Sequence, residues 1–202
     1  MPSKVEVSNM ALLGSGAIRI ESLSEDAESA RRITIAWPIC LKAMLRSHPW
    51  SFAKKEAILS QTSESPILSD DATYIYTLPV DFIKLLKTDT QGSYAYKIKG
   101  KKLYSNVSSV KIEYIYFNDD PETWDSSFTE AFIARLKAET WFAITGKGNM
   151  LEFMWQEYRS KWAYAKSMNG QEVTPDESIN DEWVNSRFGG GASNLSSTGF
   201  PI

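Results

Sequence analysis

Apolar residues recur at helical spacing near both ends of the first three quarters of the chain, and at strand spacing between them. The first apolar run, Ser8 to Leu13, stops at Gly14-Ser15-Gly16 and predicts a brief helix with a glycine stop. Ala27, Ala30, Trp37, Leu41 and Met44 then follow helical spacing. Ser22 with Glu25 fits a capping box ahead of that helix, with Ser24 as an alternative cap, and the acids around them suit the helix dipole. Pro38 lies inside the pattern. It has no N–H and crowds the carbonyl of Thr34, which predicts a kink. The helix is expected to end at Pro49, because the residue before a proline is pushed out of helical geometry.

From Trp50 to Phe117 the period changes. An extended run is expected from Trp50-Ser51-Phe52, and Tyr74 to Leu78 is β-rich and halts at Pro79. Phe82 to Lys87 is a further short apolar run. Tyr94 to Ile98 and Leu103-Tyr104 flank Gly100 as a hairpin, and Val110 to Phe117 is the clearest strand. Ser60 to Asp71 reads as a polar loop. Helical spacing returns after Asp119-Asp120-Pro121 with Phe128, Phe132, Leu136 and Ala143, joined by Ile133, Trp141 and Ile144. Gly146-Lys147-Gly148-Asn149 breaks it, and Leu151, Met154, Trp155, Tyr158, Trp162 and Ala165 resume it, with Asn169-Gly170 as the expected end. Two helices on so short a link predict an antiparallel hairpin that hides Phe128, Phe132, Trp141, Trp155, Tyr158 and Trp162.

The resulting expectation is an α+β fold. It is mainly a helical bundle with a small antiparallel β-domain inserted and an extended C-terminal tail. The boundaries are 1–49 for the N-terminal helices of the body, 50–118 for the β-domain, 119–170 for the helical hairpin and 171–202 for the tail. The tail carries Asp176, Glu177, Asp181 and Glu182, a Gly189-Gly190-Gly191 run and a Ser-rich end, yet it also holds Trp183, Phe188 and Phe200. Large aromatics in such a segment point to a binding partner.

Composition adds limits. The 202 residues are 43% apolar and 23% charged, which are globular values. The net charge of -3 gives no general affinity for nucleic acid. A single cysteine, Cys40, rules out an intramolecular disulfide and a cysteine zinc site, and a single histidine, His48, rules out a multi-histidine metal site. The beginning, MPSKVEV, lacks a signal-peptide core and no run reaches membrane-spanning length, so a soluble product of the cytoplasm is expected.

Candidate chemistry is sparse. Gly14-Ser15-Gly16 lacks the preceding strand and the Lys-Ser/Thr of a phosphate loop. His48 has no nucleophile elbow beside it, and a histidine in the last turn of a helix has a structural use against the exposed carbonyls. Glu122, Asp125, Glu130, Glu152 and Glu157 supply carboxylates from which an acid/base pair for glycan hydrolysis can be drawn. Asp119-Asp120 before a proline reads as a turn rather than a metal site. Lys84, Lys87, Lys97, Lys99, Lys101, Lys102 and Lys111 with one acid, Asp89, make a basic β-region. It suits a phosphate-tracking face, a set of lysines guarding sheet edges, or a surface for an acidic partner. No catalytic, cofactor or metal residue is assigned.

One family matches the order of the motifs. Ala11-Leu12-Leu13-Gly14, Ile20 to Glu25, Glu28-Ser29-Ala30-Arg31, Trp37-Pro38 and Leu45-Arg46-Ser47-His48-Pro49-Trp50-Ser51-Phe52-Ala53 come first. Tyr76 to Phe82, Tyr96 to Leu103, Ile112 to Ile115, Ala131 to Glu139 and Thr145-Gly146 follow. In this series the chain resembles, over about residues 10 to 165, the tail tubular protein A family of short-tailed bacteriophages, the head-to-tail adaptors. The His-Pro-Trp-x-Phe-Ala element is its most specific part.

The resemblance implies a structural, non-enzymatic virion protein at the head-to-tail interface. Such adaptors form twelve-subunit rings under the portal protein, extend the DNA channel without reading its sequence, and offer a platform to the tail nozzle protein and to tail fibre protein. No membrane and no cofactor are implied. The family's C-terminal segment reaches the portal, which makes Trp183, Arg187 and Phe188 the anchor candidates here. His48, Pro49, Trp50 and Phe52 become the helix–sheet junction. The alternative is a tail hydrolase that degrades cell-wall or capsule glycans with a carboxylate pair.

Overall fold

A computed structural model describes residues 2–66, 72–89 and 96–172. The fold is mixed α+β, with four helices and two antiparallel sheets among the described residues. Helix α1 spans Lys4–Leu12 and starts earlier than its apolar run suggests, because Ser3 and Glu6 form a capping box. The Ser3 hydroxyl accepts from Glu6 N at 3.3 Å, and the Glu6 carboxylate accepts from Ser3 N at 2.7 Å. Gly14 and Gly16, at φ 85° and 80°, then turn the chain. Asn9 pins the returning segment by two 2.9 Å bonds to the backbone of Ile20.

Helix α2, Glu28–Ser47, begins later than expected. Ser22 and Glu25 do close a turn, with the Glu25 carboxylate accepting from Glu21 N and Ser22 N, but the turn lies ahead of the helix and is spent on its own backbone. The helix instead starts from Ala27 without a side-chain cap. It passes through Pro38 as one unbroken element. One turn before the proline, the Thr34 hydroxyl donates to Ala30 O at 2.8 Å, with Leu23 O a second acceptor at 3.2 Å. The helix ends at Ser47, with His48 extended at φ -145° and ψ 148°, as Pro49 requires.

Ser51–Ala53 is a 3-10 turn rather than the start of an extended run. Strand β1, Lys54–Ile58, pairs with β7, Lys111–Tyr116, which pairs on its other side with β4, Phe82–Thr88. The second sheet orders β2 (Ser60–Gln61), β3 (Tyr74–Thr77), β6 (Lys102–Ser105) and β5 (Lys97–Lys99). The β5–β6 hairpin turns at Gly100, which takes φ 61°.

Helix α3, Ser126–Thr145, is capped by Asp125, whose Oδ1 accepts from Ser127 N at 2.8 Å and Phe128 N at 3.2 Å. Gly146 closes it in the left-handed region at φ 65°. Helix α4, Leu151–Glu172, folds back so that Met154 meets Ala138 and Trp141, and Glu157 pairs with Lys137 at 3.5 Å. Phe128, Phe132 and Trp141 are buried, but Trp155, Tyr158 and Trp162 are only half-buried. Helix α4 has just three buried residues, Met154, Ala165 and Asn169, because α3 is its main packing partner and its outer face stays open.

Two cores result. The larger joins α1, α2 and α3 around Trp37, Trp50, Trp124, Phe128 and Phe132. The smaller lies between the sheets around Tyr76, Leu78, Leu103, Ile112 and Tyr114. Strand β7 serves both: Ile115 faces the helical core, while Ile112 and Tyr114, on its other face, enter the second.

Candidate functional site

The His-Pro-Trp element is where the elements converge. Pro49 ends α2 and projects Trp50 inward, where it is 0% exposed. Its indole N–H donates to Met44 O at 3.1 Å, so the buried polar atom is satisfied by the last turns of α2. Its ring meets Phe128 of α3 at 4.8 Å and Trp162 of α4 at 5.2 Å, both edge-on, and Phe52 lies 6.0 Å away. Arg46, one turn back, donates to Ile83 O on β4 at 2.8 Å. Within this short stretch α2 is therefore tied to α3, α4 and β4.

Asn169 completes the junction. The backbone N–H and hydroxyl of Ser51 both donate to its Oδ1 at 2.9 Å. A backbone N–H can only donate, so this bond fixes which end of the amide is oxygen. The Nδ2 then faces His48 Nε2 at 3.0 Å and donates to it. His48 must accept, so it is neutral with its proton on Nδ1. Burial pushes its pKa below 6.5, assisted by the positive charges of Lys166, Lys84 and Lys54. A base committed to a buried amide in this way is positioned as a structural acceptor.

Asn169 was not visible as a partner from sequence, where Asn169-Gly170 marks the helix end. Gly170 in fact does not take positive φ, and α4 runs on to Glu172. The signal was the face: 158, 162, 165 and 169 continue one helical stripe beyond the expected stop.

Asp119 is a second point of convergence. Its Oδ1 accepts from the Trp37 indole at 2.7 Å and its Oδ2 pairs with Lys4 at 2.5 Å, linking α2 and α1 to the segment before α3. Asp120 caps the Pro121–Thr123 turn. The pair builds a turn, in line with the proline after it. Among the described residues no group of three His, Cys, Asp or Glu is placed to hold a metal ion.

The carboxylates singled out from sequence fall in two groups, Glu122, Asp125 and Glu130 about the start of α3 and Glu152 and Glu157 on α4. Asp125 is held below its ordinary pKa: burial alone would raise it, but the Ser127 hydroxyl and the N–H groups of Phe128, Ser127 and Ser126 outweigh that. A general acid needs the opposite shift. Glu152 pairs with Arg159 at 2.7 Å, Glu157 pairs with Lys137 and Lys161, and Glu122 and Glu130 are exposed. Burial pushes the Cys40 thiol up, against the counter-effect of Arg135 beside it. Gly14-Ser15-Gly16 follows a helix, not a strand.

In the basic β-region Lys102 pairs with Glu64 at 2.5 Å, and Lys99 lies 5.0 Å from the Tyr104 ring centre. Lys97 and Lys99 sit on β5, an edge strand among the described residues. Tyr94, Trp183, Arg187 and Phe188 lie outside the described residues. No helix among the described residues is long and apolar enough to cross a membrane. Neither a protein-family model nor a curated protein matches the chain.

Proposed function

We propose that this chain is a ring-forming head-to-tail adaptor of a short-tailed bacteriophage, seated between portal and tail nozzle. The observation that carries the reading is the ordered motif series, and above all His48-Pro49-Trp50 with Phe52-Ala53. The geometry supports it because that element joins other parts of the fold. It welds α2 to α3, α4 and β4, and its one titratable ring, His48, is engaged by Asn169. A connector must transmit position between a helical part and a sheet part, and a joint anchored on a fully buried Trp50 serves that need. The finer architecture proposed with it is a helical bundle carrying an inserted β-domain and an extended tail.

Surface character also supports assembly. Ile35 and Ile39 on α2, Phe142 near the end of α3 and Phe153 on α4 are each more than half exposed. Exposed apolar residues on three helices suit a subunit that packs against neighbouring copies, as a closed ring requires. The carboxylates named for glycan hydrolysis are capping, ion-paired or exposed at the surface, and no observation favours that alternative.

The test is electron microscopy of the chain mixed with the portal protein of the same phage. Rings of this chain are expected on the portal, with none in the free protein, which is expected to be monomeric by light scattering. A chain truncated before Asn180 should keep its helical circular dichroism and lose portal binding. Full binding by the truncated chain would remove Trp183, Arg187 and Phe188 as anchors, and absence of any portal complex would remove the adaptor reading.

A further inference from the structure

A groove runs from the last turns of α2 across the β3–β4 loop to the β5–β6 turn. Two adjoining clefts form it, and they share Arg46, Val80, Phe82, Ile83 and Lys101. Lys42 and Lys84 add to its lining. Its one carboxylate, Asp81, is already engaged: Oδ2 pairs with Lys55 at 3.0 Å and Oδ1 accepts from the Tyr114 hydroxyl at 3.0 Å. Burial, together with that bond, pushes Tyr114 up to about 12. Lys42, Lys84 and Lys101 make no ion pair among the described residues, and Arg46 reaches a carbonyl rather than an acid. Several cations elsewhere, such as Lys4, Lys54 and Lys137, are paired, and what sets the groove apart is that four unpaired ones line a single depression. The chain as a whole is acidic at -3, so a cluster of four uncompensated cations is a local device and not an overflow of positive charge.

The groove is also apolar at its rim. Val80 is fully exposed at the tip of the β3–β4 loop, and Tyr96 and Ile98 are exposed across from it. We propose that this groove docks an acidic peptide segment of a partner protein, with carboxylates on Lys42, Arg46, Lys84 and Lys101 and an apolar side chain against Val80 and Ile98. Single-stranded nucleic acid fits less well. Binding it takes a series of free aromatic faces for base stacking, whereas the groove offers only Tyr96: Phe82 is stacked 5.7 Å from Tyr114 and Phe117 lies under Lys42. The fully exposed anchor is aliphatic, and the acidic chain repels a long polyanion. The proposal does not depend on the adaptor reading.

The experiment is fluorescence anisotropy on the full chain with three labelled probes: a peptide alternating Asp/Glu with Leu, its Lys-for-acid counterpart, and an oligo-dT strand. Saturable binding of the acidic peptide alone is expected, weakening as salt rises. Lys84→Glu with Lys101→Glu should weaken it at least about tenfold, and Val80→Asp should do the same at a site whose exposure leaves folding untouched. Circular dichroism of each variant checks the fold. No saturable binding of the acidic peptide, affinity unchanged in both variants, or equal binding of oligo-dT would each overturn the proposal.

Discussion

Trp50 and Asn169 hold the junction in different ways, and their loss should read differently. Trp50 is fully buried among Phe128, Trp162 and the last turns of α2, and its removal leaves a cavity that touches three elements. Trp50→Ala is expected to cost about 3–5 kcal/mol in urea unfolding, and a near-unchanged midpoint would mean the ring is not a core anchor. Asn169 contributes polar order instead. Asn169→Ala strands the Ser51 N–H and His48 Nε2 and is expected to cost about 1–3 kcal/mol. His48 adds a pH dependence. Its folded pKa lies below 6.5, so between those values the unfolded chain binds more protons than the folded one. The contribution is complete above about pH 6.5 and is lost as pH falls through the folded value. The surrounding charges, Lys166 on α4, Lys84 on β4 and Lys54 on β1, all oppose protonation, while Glu172 sits by Ser51. His48→Gln can accept the same Asn169 hydrogen bond without titrating. It should therefore lose less stability than the parent between about pH 7.5 and pH 5.5, measured by denaturant midpoints.

Among the elements, two glycines that look alike in sequence behave oppositely. Gly146 ends α3 at φ 65°, a conformation a side chain resists although the space around it is empty. Gly170 lies inside α4 at negative φ with nothing near its added Cβ. Gly146→Ala is expected to destabilise by about 1 kcal/mol, and Gly170→Ala to stabilise by about 0.5–1 kcal/mol, in thermal or urea melts. The contrast shows what local pattern carries and what it does not. Strong periodicity located α2, α3, β4, β7 and the hairpin at Gly100, because burial on one face forces a period. Ends were harder. Ser22 and Glu25 have the residue types of a capping box but spend them on a turn, and Asn169-Gly170 has the form of a stop but lies within a helix held by contacts more than a hundred residues away in the chain. The half-burial of Trp155, Tyr158 and Trp162 was likewise hidden, since spacing shows which side chains share a face and not how many neighbours cover it. The candidate groove was legible only as a count of lysines. Its shape depends on α2 approaching the β3–β4 loop, a long-range contact that Arg46 and Ile83 do not announce.

At the scale of the whole described unit, β7 decides whether the two cores act together. Ile115 is buried in the helical core and Ile112 in the intersheet core, on opposite faces of one strand. Opening either core removes support from the same backbone, and β1 and β4 pair only through β7. The helices and both sheets should thus unfold as one cooperative unit. Far-UV circular dichroism, which follows mainly the helices, and hydrogen exchange at the amides of β6, on the far side of the second core, should give the same free energy of opening. Ile115→Ala makes the argument sharp. It removes a side chain from the helical core alone, at a cost of about 2–5 kcal/mol. If the cores are coupled through β7, protection at Leu103 and Tyr104 must fall by the same amount, although neither residue belongs to the cluster around Ile115. Protection in β6 that survives Ile115→Ala would show that the β-region opens independently. The junction at Trp50 would then be a hinge between two units and not a weld within one.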